Sequence, residues 1–364
     1  MTTTISDTIE EYRAARGPGA VFERADRVLL AVRGRSPTRM LTGICSGRMP
    51  PELTDAGSEV QAGEAPYSTV LTPKGKLVTD LRVLRLGNGE GGGLLLDVPA
   101  AGIQRLREHL TKYLPPRFAK LEEPAGSMGI LSVTGSEAAS ILSREVFGLR
   151  LGAEELAALP EGGERLIGDP EADGLRVVRN GDVRVPAFDL ITDGAALRSL
   201  GERFGNLGLV SAGPATWETF RIEAGRPRFG AELAEDTLPP EAGIHNRAID
   251  DRKGCYTGQE VIVRIRDRGR VNRHLRGLLL GDAPPPEPGT PLFIEGRERQ
   301  AGEVRSAVTS PGFGQTIALG YVRREAEPPT TARLGSADGP EVQVRALSDE
   351  GWVLLEGDPG VKAL

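Results

Sequence analysis

Cysteine and histidine are scarce in this chain: two cysteines, Cys45 and Cys255, and three histidines in 364 residues. Two thiols make no disulfide framework, and with neither a CxxC nor an HxxxH pair no metal site is expected. Free thiols fit a reducing compartment. No apolar run approaches the ~20 residues of a membrane span. The opening MTTTISDTIEEYRAAR lacks the basic-then-apolar layout of a secretory signal and is too acidic for a transit peptide, so a cytoplasmic protein is expected. A general excess of positive charge is missing too. The net charge of −6 argues against nucleic-acid wrapping while leaving room for a local basic patch.

Turn chemistry is abundant, with 48 Gly and 27 Pro against 4% aromatics. The apolar and charged fractions, 39% and 26%, are too ordinary for disorder. The length allows two or three domains with at least one sizeable core.

Two stretches look alike. RVLLAVRGRSPTRMLTGIC (27–45) and MGILSVTGSEAASILSREV (128–146) each run apolar strand, Gly, Ser, then a helical apolar period. Ser36 and Ser136 stand at the expected N-caps, followed by Pro37 and Glu137. Either this is an ordinary strand-turn-helix occurring twice, or one β-α unit is duplicated. Between them, YSTVLTPKGKLVTDLRVLRLG reads as a hairpin turning at Pro73, Lys74 and Gly75. VPAAGIQRLREHLTKYL reads as an amphipathic helix closed by Pro115 and Pro116, and GPATWETFRIEAG as a helix from Pro214 to just before Gly225, with Trp217, Phe220 and Ala224 on one face. The prolines of GDAPPPEPGT (281–290) mark a boundary. Beyond it PLFIEG, QAGEVRSAVTS, QTIALGYVRR, TARLG, EVQVRAL and GWVLLEG are short β runs that suggest a small antiparallel barrel.

Cys255 follows Arg252 and Lys253, and Thr257-Gly258-Gln259-Glu260 has the form of a capping box, so a helix is expected just after the thiol. Cations and a helix N-terminus favour thiolate. Val261, Val263 and Ile265 also alternate as a strand would, and a small buried thiol without chemistry is the plainer alternative. Arginines crowd 252–276, as a solvated face or an anion site for phosphate or polycarboxylate. Glu223 in the last turn of a helix opposes the macrodipole. Either Arg221 or Arg226 pairs with it, or it accepts the N–H groups of a 2-amino-4-oxo-pyrimidine edge such as a pterin's. His109, His245 and His274 have no argued partner, and TPKGK lacks the spacing of a phosphate loop.

KGCYTGQE, with FRIEAGRPRFGAEL, LPPEAGI, YSTVLTPKGKLVTDLRVLR and VTSPGFGQTIALGYV, resembles the folate-binding YgfZ family, relatives of the aminomethyltransferase (T-protein) of glycine cleavage. The likeness runs from about Tyr12 to the last strands. It implies an α+β, three-lobed cloverleaf with duplicated β-α units around a central folate cavity and a C-terminal antiparallel β-barrel. It implies a folate-binding part at 1–274, in two interlaced lobes of roughly 1–124 and 125–274, and a barrel at 275–364. Tetrahydrofolate or a one-carbon derivative is the implied ligand, with Tyr67, Glu223, Arg221 and Asp80 on it. The signature Lys253, Gly254, Cys255, Tyr256, Thr257, Gly258, Gln259, Glu260 implies an activated Cys255 at the cavity's edge.

Active aminomethyltransferases carry Asp-Asp-Leu after the hairpin, where this chain has Thr79-Asp80-Leu81. Successive strand residues face opposite ways, so Asp80 replaces the missing acid only through a register shift or bulge. The implied function is folate-dependent support of iron–sulfur cluster assembly or repair, and through it tRNA modification, with iron–sulfur client or assembly proteins as partners. The alternative is a folate-dependent aminomethyl or other one-carbon transferase, for which a carboxylate facing the folate N5/N10 edge is the discriminating feature.

Overall fold

The computed structural model describes residues 5–124, 127–170, 174–294 and 299–358. Three sheets organise them. A five-stranded sheet runs in the order Tyr67–Leu71, Leu77–Arg85, Leu94–Pro99, Arg27–Gly34, Ala119–Glu122. An eight-stranded sheet takes Met128–Thr134 and Ala187–Asp193 at its centre, and early-chain strands at both ends: Ala20–Glu23 near one edge, Thr54–Asp55 and Val60–Glu64 at the other. Three of the four strands in the first 64 residues, all but Arg27–Gly34, are therefore woven into a sheet completed after residue 128.

The third sheet closes on itself. Arg273–Gly281 pairs with both Gln315–Arg323 and Glu341–Ser348, making a six-stranded antiparallel barrel. This closing strand precedes the proline-rich stretch that the sequence offers as a boundary. It reads weakly because Arg273, His274 and Arg276 break its apolar run. The end of the expected PLFIEG strand lies outside the described residues.

The two open sheets pack face to face through Leu29, Ala31, Leu84 and Leu95 on one side and Ile130, Val178 and Ile191 on the other. Helix Ile103–Tyr113 covers the outer face of the five-stranded sheet, burying Leu106 and Leu110. Helices Ala138–Glu145 and Gly194–Asn206 cover the eight-stranded one. The two look-alike strands each run between antiparallel neighbours, one in each sheet, and each leads into a helix. Of their serines, one holds the expected N-cap position and neither caps with its side chain. Ser36 is an N-cap by position, but its hydroxyl donates to Glu90 at 2.9 Å. Ser136 stands one residue before the N-cap, and its hydroxyl donates to the Gly17 carbonyl.

The barrel joins the rest through an apolar cluster in which Leu275, Phe313, Ile317, Tyr321 and Trp352 meet Ile222, Phe229, Leu233 and Ile244. Trp352 Nε1 donates to the Ile222 carbonyl at 2.9 Å, so even the polar atom of that ring is satisfied. No helix among the described residues is long and apolar enough to cross a membrane.

Candidate functional site

A cavity of about 800 Å³ opens where the two sheets, helix Pro214–Glu223 and the segment around Asn246–Arg252 converge. That volume suits a cofactor-sized ligand. Its lining residues fall between Phe22 and Arg252, so the barrel buttresses the cavity wall from behind without forming its surface.

The hairpin brings the chemistry to this cavity. Its register shifts between Val70 and Leu71: Val70 stands opposite Thr79, and Leu71 opposite Leu77. Val78 is thus the extra residue of a β-bulge. Past the bulge, Asp80 and Arg82 alternate toward the cavity, while Thr79 is fully buried on the other face, against Gly102, where an added Cβ would lie 2.1 Å from its hydroxyl. The irregularity required for Asp80 to take the acid's place is present.

Tyr67 Oη donates to Asp80 Oδ2 at 3.0 Å, and Asp80 Oδ1 is buried without a hydrogen-bond partner. Burial pushes the Asp80 carboxyl above the usual carboxylate range, with the Arg27 charge and the Tyr67 hydrogen bond opposing it. The Arg247 guanidinium lies 4.8 Å from the Tyr67 ring centre, fixing the phenol from its other side.

Beneath them runs a chain of buried charge. Arg27 reaches Asp97 at 2.7 Å, and Arg82 bridges Asp97 at 2.5 Å and Asp189 at 2.7 Å. Asp97 belongs to the five-stranded sheet and Asp189 to the eight-stranded one. Ser132 and Asn180 donate to Asp189 at 2.5 and 2.9 Å. Desolvation alone would raise the Asp97 pKa, but the charges of Arg27 and Arg82 overcome it and hold the carboxyl well below its ordinary value.

Glu223 is placed differently from its implied role. It is absent from the cavity lining and accepts hydrogen bonds from Tyr12 Oη at 2.9 Å, Ser310 Oγ at 2.5 Å and the Gly312 N–H at 3.2 Å. The helix explains this. Pro214, Trp217, Glu218 and Arg221 present one face to the cavity, and at 100° per residue Glu223 falls on the opposite face. Arg221 does line the cavity, but its guanidinium is spent on Glu218 at 2.6 Å and Glu232 at 3.0 Å.

The KGCYTGQE segment lies beside the cavity, not in it. Cys255 is exposed, and the cavity wall ends at Asp250 and Arg252, just before this segment. Lys253 turns away to donate to the carbonyls of Cys45 and Gly47 at 2.6 and 2.8 Å. Thr257 caps nothing, because helix Gln259–Arg268 starts from Gly258 at φ 85° and the Thr257 hydroxyl points to the Gly43 carbonyl. A side chain on Gly258 would meet the Thr72 carbonyl at 2.6 Å, so this glycine lets the helix start dock on the hairpin turn. Tyr256 is buried in the barrel-facing core, Gly254 faces open space, Gln259 opens the helix and Glu260 is exposed in its first turn.

Sequence reasoning missed Arg27, Arg82, Arg179, Asp182 and Arg247. An arginine on a strand or loop carries no local signal of burial. Asp182 lines the cavity, and against desolvation the charges of Arg247, Arg82 and Arg27 hold it below the ordinary carboxylate range. The Asp182 carboxylate stands 3.7 Å from Arg247.

Comparison with known proteins agrees with this architecture. Residues 273–349 match the glycine cleavage T-protein C-terminal barrel domain. An aminomethyltransferase of Prochlorococcus marinus is 26% identical over 350 residues, 94% of this chain and 88% of that protein. One from Rubrobacter xylanophilus is 29% identical over 319 residues, 87% of this chain and 79% of the other. The crystal structure of the glycine cleavage system aminomethyltransferase T from Bartonella henselae superposes with a TM-score of 0.77 at 19% identity, covering 96% of this chain and 92% of that one. The chain thus has the fold of that aminomethyltransferase over nearly its whole length, and its C-terminal end matches the T-protein barrel domain.

Proposed function

We propose that this protein is a tetrahydrofolate-dependent one-carbon transferase of the aminomethyltransferase kind. The observation that carries the reading is Asp80: a cavity-lining carboxyl with one oxygen held by Tyr67 and the other unpartnered. A buried carboxyl oxygen without a partner is costly unless a ligand supplies one. Tetrahydrofolate supplies the amine nitrogens between which a one-carbon unit is accepted. Asp80 holds or releases the proton at the reacting nitrogen, and burial, by raising its pKa above the usual carboxylate range, favours the protonated form that can donate. Asp182, held ionised, is the carboxylate suited to the pterin edge in place of Glu223, since it can accept two parallel N–H bonds. Arg247 and Tyr67 form the wall between these two acids.

Calorimetry and single-turnover kinetics test this together. Asp182→Asn should weaken tetrahydrofolate binding by about 1.5 to 3 kcal/mol. Asp80→Asn should leave binding nearly intact and slow transfer by ~10² to 10⁴-fold. Transfer at the wild-type rate by D80N, or no tetrahydrofolate binding by the wild type, overturns the reading.

A second reading, support of iron–sulfur cluster assembly or repair and through it tRNA modification, has one observation in its favour: the exposed thiol of Cys255 beside the cavity. Cells carrying C255A but not D80N should then lose iron–sulfur enzyme activity at equal protein level. The reverse pattern supports the transferase alone.

A further inference from the structure

A second, smaller chamber of about 130 Å³ lies where the loop after helix Pro214–Glu223 meets the barrel. At roughly 30 Å³ per molecule it has room for a few waters or one small oxyanion. Arg226, Arg247, His274 and Arg276 stand on its wall, with Glu241 as the one carboxylate.

The charges do not cancel locally. Arg247 is paired with Glu161 and faces Asp182, and Glu241 Oε2 already accepts from Arg273 Nε at 3.2 Å and the Leu238 N–H at 3.3 Å. The Arg226 side chain makes one hydrogen bond, from Nε to the Gly181 carbonyl at 3.1 Å, and forms no ion pair within 4 Å among the described residues. The Arg276 side chain is half-buried with neither a hydrogen bond nor an ion pair among them. Burial pulls the pKa of both guanidiniums, and of the His274 imidazole, below their ordinary values; the charges of Glu161, Asp182 and Asp349 on Arg226, and of Glu327 on Arg276 and His274, offset only part of the loss. Two half-buried cations facing one hollow are costly unless an anion joins them.

We propose that this chamber binds an oxyanion group, a carboxylate or a phosphate, between the guanidiniums of Arg226 and Arg276 with His274 as a third donor. Arginine forks suit both groups, and each fork comes from a different part of the chain: Arg226 from the loop after the cavity helix, Arg276 from the barrel's closing strand. An anion here would clamp the barrel to the loop that forms one side of the larger cavity, because Pro227 and Arg247 line both spaces.

The test is calorimetric titration of the full chain with inorganic phosphate and, separately, with glutarate, at an ionic strength matched by sodium chloride. Saturable binding of at least one is expected, and the tighter of the two identifies the group. R226Q and R276Q should each lower that affinity by about tenfold or more while tetrahydrofolate affinity stays unchanged. The two substitutions lie on separate elements, and thermal melts of each confirm folding. Absence of saturable binding of both anions to the wild type overturns the proposal, as does wild-type affinity in a folded R226Q/R276Q double variant. A failure of tetrahydrofolate binding bears only on the function proposed for the larger cavity.

Discussion

Tyr67 and Asp80 face each other across the hairpin, joined by a 3.0 Å hydrogen bond from phenol to carboxylate, and the bulge at Val78 is what turns Asp80 toward the cavity. Because the folded-state pKa of Asp80 is raised, its ionisation opposes folding. That cost is absent below the unfolded value of about 3.9 and is fully present above the folded one. D80N should therefore be more stable than wild type near neutral pH, with the gain fading as pH falls toward 4. Urea denaturation at a series of pH values reads this, and a gain independent of pH would mean that the carboxyl is not buried as charge.

Glu223 should matter to stability rather than to ligand binding. Its carboxylate accepts from Tyr12, Ser310 and Gly312, tying the first helix and a barrel loop to the cavity helix. Glu223→Gln replaces one acceptor oxygen with a donor NH₂, so about 1 to 3 kcal/mol of stability should be lost. Tetrahydrofolate affinity should be unchanged. Weakened binding without a fall in melting temperature would return Glu223 to the ligand.

Removing Arg82 takes the ion pair from Asp189, which keeps only the Ser132 and Asn180 hydrogen bonds, and leaves Asp97 with Arg27; both side chains are fully buried. Arg82→Met should cost about 3 to 5 kcal/mol. The acid limb of stability has the opposite sign to that of Asp80. Asp97 has a depressed folded pKa, so its contribution is present above pH ~4 and is lost as pH falls through the folded value. D97N should be less stable at neutral pH and lose less on acidification. Equal acid slopes in D97N and wild type would locate the acid sensitivity elsewhere.

The two thiols should react very unequally. Cys45 is wholly buried and burial pushes it up to about 12, against the opposing charge of Lys253 and a Ser68 hydrogen bond, whereas Cys255 is exposed. Alkylation with iodoacetamide at pH 7.5, followed by mass spectrometry, should label Cys255 in the native protein and Cys45 only after unfolding. Comparable native rates would mean that the Cys45 region opens readily.

The local elements are legible from the order of residues alone. The hairpin turn at Pro73–Gly75, the helix opening at Pro214 and the short β runs after residue 290 follow from turn chemistry and periodicity, which act between near neighbours. Which side chain meets the cavity was decided elsewhere. Glu223 looked suited to a ligand because it sits badly with its own helix dipole, yet Tyr12 and Ser310, 211 and 87 residues away in the chain, are what hold it. For Asp80 the sequence leaves the facing open, since strict strand alternation turns it from the missing acid's position and a bulge turns it back, and the bulge is visible only in the paired strands. Arg27, Arg82 and Asp189 carry no local mark at all. Their burial exists only once two sheets from different parts of the chain pack together, since a charge is paired by whatever the tertiary fold brings within a few ångströms and not by its sequence neighbours.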